Sequence, residues 1–477
     1  MGAAVNVAVE PAGPKRVPCP LCGAEIIAGA RKCRYCRRWI GEPPPSPSRF
    51  SRSLTLIVAA VVAVLAVLLS SRESPVGEAP PLTPIMAGSS VGEADVQPGA
   101  APQVLGPDAD GQTPAPVEPP PDGTDEWHTR RLQLDVHPLD LLFSPNGNTL
   151  YVSGDDASIR EYDLQTGKLL HMASVPAQGD RIRLLADRYI ALIRRHEAAH
   201  IPLLDTTNWD RDPVLLWVGS NPADVVALPD GKTIVAASSR GKRLTWFELD
   251  KGRRKSDIRL PHTTRKLYLL QTSAGPTIGA IGTLVRAGRP AGAWIDLFDP
   301  TETPFGATRR SVSVGRDPHP GAVTGDHTAL FFADHVSNTA SLLSVDANTE
   351  TKTVTVGQGP IAAFLLSDDR YGITLDSDAR TATVVGLADM KRLSTLMLNG
   401  SPSHGASAAD GSRLFIALGG TTWPPKEAGA AIVAGDPPKV VATLDTDRGA
   451  ARVAVSPDGY KAAIANHFAK TITVIEP

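Results

Sequence analysis

The only four cysteines of the chain come as two pairs, Cys19 and Cys22 in CPLC and Cys33 and Cys36 in CRYC. A C-x-x-C pair bends as a knuckle that presents two thiolates, and two knuckles complete a tetrahedral zinc site. The interval between the pairs is shorter than in most such sites, so the domain must be very small. Ile26, Ile27, Trp39 and Ile40 are its only candidates for a covering core. That is too little to fold without the metal. A redox pair or disulfides suit the segment poorly, because no βαβ pattern surrounds it and its flanks read as cytoplasmic. The reading is one structural Zn2+ held by Cys19, Cys22, Cys33 and Cys36.

The histidines offer less. His196 and His200 have helical spacing in HEAAH, but YIALIRRHEAAHIPLLD reads as two strands joined by a loop, and H-E-x-x-H needs a helix to bring both imidazoles to one face. His335 in ADHVSNT and His467 in ANHFAKT occupy matching places in a repeat, where hairpin-loop residues capping a turn account for both. G-x-S-x-G, P-loop and dinucleotide fingerprints are missing. No converging set of acids and histidines is visible in the turns.

What positions these groups is set by Leu54 to Leu69, LTLIVAAVVAVLAVLL, an apolar run without a charge that lies between Pro-rich stretches. It is apolar on every face and, with Ser70 and Ser71, reaches the roughly 18 residues a bilayer-spanning helix needs. Residues 1–71 carry nine Lys/Arg against three Asp/Glu, whereas residues 72–126 carry one against ten. Positive charge is retained on the cytoplasmic side. We therefore expect an uncleaved signal anchor over 53–71 in the inner membrane, with the amino terminus in the cytoplasm and the remainder periplasmic. Arg31, Lys32, Arg34, Arg37 and Arg38 serve this signal, and no nucleic-acid partner is expected.

The stretch CPLCGAEIIAGARKCRYCRRWIG resembles the short zinc-ribbon modules found at the amino termini of many bacterial membrane proteins. It departs from them at Arg37, where a glycine is usual. The domain plan is then a ribbon and Pro-rich spacer over 1–45 (ribbon core 17–41), the anchor over 53–71, a Pro/Ala/Gly-rich acidic linker over 72–126 that cannot bury enough surface to order itself, and a final domain over 127–477.

That last domain is repetitive. FSPNGNTLYVSGDDASIREYDLQTG, ALPDGKTIVAASSRGKRLTWFELDKG and VSPDGYKAAIANHFAKTITVIEP share one plan, and weaker copies lie near 186, 271, 324, 367 and 408. In each, an apolar strand ends at an S-P-D-G turn. A second apolar strand follows, then a third ending near Asp163, Asp205, Asp250, Asp299 or Asp346, then a Lys/Arg-led fourth. The period lies in the low forties with two longer steps. These repeats resemble the YVTN-type and WD-repeat-like β-propellers over nearly all of 130–477, which implies an all-β ring of four-stranded blades. The degenerate copies near 186 and 271 leave seven blades open, and eight is preferred. The last copy stops at its third strand, TITVIEP, so RRLQLDV from Arg130 to Val136 is expected to complete that blade by pairing with Thr471 to Ile475.

Propellers serve as scaffolds, lactonases and quinone-cofactor dehydrogenases, so the resemblance does not choose among functions. Without a converging set in the turns, a membrane-tethered module binding a protein or envelope ligand is preferred, and an exported propeller enzyme of lactonase or dehydrogenase type is the alternative.

Overall fold

The computed structural model describes residues 16–18, 25–27, 126–193, 198–286, 289–301, 310–345, 351–420, 422 and 424–477, with backbone alone for 16, 18, 25–27, 284–286 and 289–291. The chain divides into two compact units, Met1–Ala115 and Pro116–Pro477. In the first, strands Arg16–Pro18 and Glu25–Ile27 pair antiparallel with Arg16 opposite Ile27. Residues 19–24 between these strands, all four cysteines and the apolar run 54–69 lie outside the described residues, and so do the zinc and anchor assignments. Among the described residues no helix is long and apolar enough to cross a membrane.

The second unit is all β: eight antiparallel four-stranded sheets. Seven are continuous in sequence, at 138–174, 181–217, 222–259, 266–314, 318–355, 360–397 and 404–444, and are numbered here as blades 1 to 7. The eighth is assembled from both ends of the repeat region. Strands Ala450–Val455, Ala462–Asn466 and Thr471–Glu476 are joined by His128–Gln133, which pairs antiparallel with the last of them, Arg130 opposite Val474. First strands of successive blades are neighbours all the way round, from blade 1 to blade 8 and back, so the ring is closed. The preference for eight blades and the two-ended closure are both borne out, although the closing strand starts at His128 and ends at Gln133. The two long steps of the repeat also have their cause. Blade 4 has an extended hairpin, Gly275–Arg286 against Arg289–Phe298, and blade 7 a long connection between Arg413–Ala417 and Ala430–Ala434.

The turns follow from their residues. In SPNG and SPDG the fourth amide closes onto the serine carbonyl at 2.9 Å, at Gly147 and again at Gly459. Both glycines have φ above +70°, where any Cβ is strained. In the weaker copy T-G-D-H the same place falls to His327, with φ of 60°.

Second strands such as ALFFAD and TIVAAS are apolar without alternation because both faces are covered. Leu330 and Phe332 pack toward Tyr268, Leu270 and Ile295 of blade 4, whereas Phe331 and Ala333 pack toward Ala363, Leu365 and Val385 of blade 6. The same holds around the ring: every buried apolar cluster draws its residues from two successive blades, and there is one for each of the eight junctions. The junction of blades 8 and 1 includes Leu132 and Leu134 from the closing segment, packed with Leu150, Val152, Ile472 and Val474.

Deleting residues 127–137 should therefore strip blade 8 of its outer strand, leave Thr471–Glu476 as an unpaired edge and lower the melting temperature sharply or cause aggregation. Deleting 75–120 should leave the propeller's melting temperature nearly unchanged. Equal stability of the two truncations in a thermal melt would contradict this closure.

Candidate functional site

The first strands of blades 1, 2 and 4 to 8 line a central channel of about 1150 Å3, whose lining includes Asp140, Arg181, Arg183, Lys266, His319, His404 and Arg452. A hollow of about 20 Å3 beside Tyr189, Asp205 and Val214 has room for about one water. The polar channel residues come mostly from the start of each first strand, at bulges such as Pro138/Asp140, Pro222/Asp224 and Ala450/Arg452 that turn one extra residue out of the ladder.

Many of these side chains tie one blade to the next. The Asp140 carboxylate accepts the Ile182 amide of blade 2 at 2.9 Å, and Asp224 of blade 3 accepts that of Leu267 in blade 4 at 3.1 Å. The Tyr268 hydroxyl accepts the Gly321 amide of blade 5 at 2.8 Å, and His404 Nδ1 of blade 7 accepts the Val453 amide of blade 8 at 3.2 Å. Ions add to the belt: Arg183 Nε meets Asp224 at 3.3 Å and Arg452 Nε lies 3.8 Å from Asp140. Arg181 donates to the Ala223 carbonyl.

Burial and charge displace the proton affinities. Asp140 is pushed up by burial, against the pull of Arg452 and the Ile182 amide. Burial also acts upward on Asp224, but Arg183, Arg181 and Lys266 together hold it below the usual carboxylate range. His404 is kept neutral, by burial first and then by the charges of Arg452, Lys266 and Arg183. Because Nδ1 accepts an amide, its proton sits on Nε2. Lys266 falls to about 7, through burial and then Arg183 and Arg181, with only Asp224 opposing. Among the described residues its ammonium makes no hydrogen bond and no ion pair; it lies over the Tyr268 ring, 5.4 Å from the centroid. Asp180 adds a negative charge near Arg452.

The residues singled out in the sequence fare differently. His335 and His467 do cap, and they cap across blades: their Nδ1 atoms meet the carbonyls of Pro360 and Pro138, first residues of the following blades, at 3.3 and 3.1 Å. Each ring also leans on a second histidine, His335 on His319 and His467 on His137. His200 opens strand His200–Asp205, which pairs with Tyr189–Ile193, so HEAAH joins two strands; His196 lies outside the described residues. His262, in the connection before blade 4, adjoins Asp296 and through it Ser311 of that blade, but Asp296 stands between the other two, so the imidazole cannot take the serine proton as a triad requires. Among the described residues no group of three or more His, Asp or Glu is placed to hold a metal.

The polar groups that converge lie on the first strands and not in the turns. PLDLLF, PADVVA and AARVAV each carry one charged residue in an otherwise apolar run, KLYLLQT opens on one, and that interruption was the available signal.

Fold and channel define the class: an eight-bladed β-propeller with an ionised central channel. Among solved structures, hydrazine synthase of Kuenenia stuttgartiensis is similar at 18% identity over 72% of this chain and 97% of that one, with a TM-score of 0.49. A likeness at that level says nothing about activity. No family model matches the chain. No curated protein matches it.

Two buried acids lie off the channel and form a natural comparison. At the ends of second strands, Asp334 accepts the hydroxyl of Ser341 at 2.6 Å and Asp376 that of Thr383 at 2.7 Å, while in blade 8 the neutral Asn466 meets Thr473 at 2.8 Å. Asp334 is fully buried, its Oδ1 has no hydrogen-bond partner, and burial pushes it up to about 6. Below about pH 4 the carboxyl is protonated whether the chain is folded or not and contributes nothing. Between about 4 and 6 the unfolded chain releases the proton while the folded one keeps it, so stability falls as pH rises and stays lower above 6. Asp334→Asn, which copies blade 8, removes this loss. Its melting temperature relative to the parent should climb from pH 4 to pH 6 and then level off. The gain is at most about 3 kcal/mol, since a tenfold change in proton affinity is worth about 1.4 kcal/mol. A difference independent of pH would show that Asp334 does not titrate as its burial demands.

Proposed function

We propose that the propeller is a binding module whose central channel takes a small anionic ligand, held outside the cytoplasmic membrane by the anchor at 53–71 and coupled to a zinc-bearing ribbon on the cytoplasmic side. The observation that carries the ligand class is Lys266. The belt carboxylates Asp140 and Asp224 are engaged by amides and guanidiniums, whereas the Lys266 ammonium forms no ion pair among the described residues, with Asp224 its one opposing charge, and the charges acting on His404 are all positive. An anion placed there would relieve both. The channel is also roomy enough for a small molecule, being somewhat larger than most such sites. An enzyme working in the same channel is the second reading, favoured by the number of groups whose proton affinities are displaced there.

Oxalate titrated into the full-length protein should bind with an affinity that falls as salt rises and drops at least about tenfold in Lys266→Met, a loss of about 1.4 kcal/mol. The variant's melting temperature should hold or rise, because a buried charge without a partner is removed. Equal oxalate affinity in parent and variant would rule the channel anion site out.

The membrane and zinc parts rest on the sequence. Alkaline phosphatase fused after Asp122 should be active, since seven Lys/Arg lie between Arg31 and Arg52 and only Arg72 lies in the linker. An inactive fusion beside an active cytoplasmic reporter at the same point would overturn the topology. Metal analysis should return one zinc per chain, lost in the Cys33→Ser, Cys36→Ser double variant; zinc retained at full stoichiometry would dismiss the four-cysteine site.

A further inference from the structure

We propose that Lys266 is a carbonyl-capturing amine: an anionic aldehyde or 2-oxo acid enters the channel, its acid group faces Arg181 and Arg183, and Lys266 Nζ condenses with its carbonyl carbon. The inference rests on the reading of the channel as an anion site and goes on to name the ligand's second functional group.

Several placements converge on this residue. Lys266 opens the first strand of blade 4, Lys266–Thr272, and is the one lysine among the described residues that lines the channel. Other lysines have work elsewhere: Lys242 Nζ donates to the Pro261 carbonyl and Lys255 Nζ to the Thr233 hydroxyl. Lys266 donates to nothing among the described residues. A lysine kept only for the ring would be paired like Arg183, which meets Asp224. Its surroundings also free the lone pair. Burial, then Arg183 and Arg181, bring its proton affinity down to about 7 against the opposing charge of Asp224, so near neutrality about half the amines are uncharged. Desolvation beside another cation is a known way to make a lysine nucleophilic. Other ionisable groups of the channel and its wall include His404, held neutral, Asp140 and Arg452, paired with each other, His319 on the next first strand, and Tyr268, whose hydroxyl keeps its proton because burial raises it.

The step balances without a further reagent. Nζ attacks the carbonyl carbon, the carbinolamine loses the former carbonyl oxygen as water together with the two amine protons, and a C=N bond replaces C=O. Water reverses the reaction, so the bond is a reversible clasp.

The test uses the full-length protein in detergent, incubated near pH 7 with glyoxylate and sodium cyanoborohydride, with adducts located by peptide mass mapping and oxalate binding measured on the same preparation. Lys266 should be alkylated at least about tenfold faster than the median lysine, because an amine of ordinary affinity near 10.4 is almost wholly protonated at this pH. The excess should shrink toward pH 10, oxalate should block it, and Lys266→Arg should abolish that one adduct while leaving the others. Oxalate binding without preferential alkylation of Lys266 overturns the capture and leaves the anion site standing. Failure of both overturns both. Preferential alkylation that oxalate does not slow overturns the placement of the acid group against the two arginines.

Discussion

No blade of this ring has a hydrophobic core of its own. Each sheet is covered on both faces by its neighbours, and every buried cluster belongs to a junction. A sheet taken alone would expose two apolar faces, so the blades are stable only in sequence and the sequence only as a closed circle. Closure is thus the constraint on which the rest depends, and the pairing of His128–Gln133 with Thr471–Glu476 satisfies it with backbone hydrogen bonds.

The channel follows from the same constraint. Eight first strands brought side by side at the axis leave a space that apolar side chains of this size do not fill, and polar residues there must find partners or face water. This protein uses one device repeatedly. A side chain near the start of a first strand accepts an amide of the next first strand, as Asp140 does from Ile182, Asp224 from Leu267, Tyr268 from Gly321 and His404 from Val453. The belt locks blade to blade and fixes the rotamers of groups whose charges then act across the channel. Lys266 is distinguished by taking no part in the locking.

How much of this could be read in advance depended on whether a feature is local in sequence. SPNG, ALPDG and SPDG turns each sit within four residues, their recurrence gave the blades, and the missing fourth strand after TITVIEP led to RRLQLDV. The channel set was not legible in that way. Its members are contributed mostly one per blade, some forty residues apart, as Asp140, Arg183, Asp224, Lys266, His404 and Arg452. No spacing marks such a set, because its geometry exists only after the ring has shut. What could be seen was each interruption alone, a single Asp in PLDLLF or PADVVA, and singly such residues look like defects in a strand. HEAAH shows the converse: a spacing that suggests chemistry, spent on the link between two paired strands.

The two-ended blade also dictates an order of assembly. His128 and Glu476 are partners at the greatest sequence separation of any pair in the ring, and all the intervening chain must be present before they can meet. Until then the nascent arc carries an uncovered apolar face at blade 1 and another at its growing end, and the loop to be closed is the longest in the ring. Contacts between successive blades are local and can form as each repeat emerges, whereas the last junction is gated by the strand Thr471–Glu476. Maturation is therefore a slow terminal event after many fast ones. In the interval the arc is open to foreign strands, and protection during biogenesis matters most at that point.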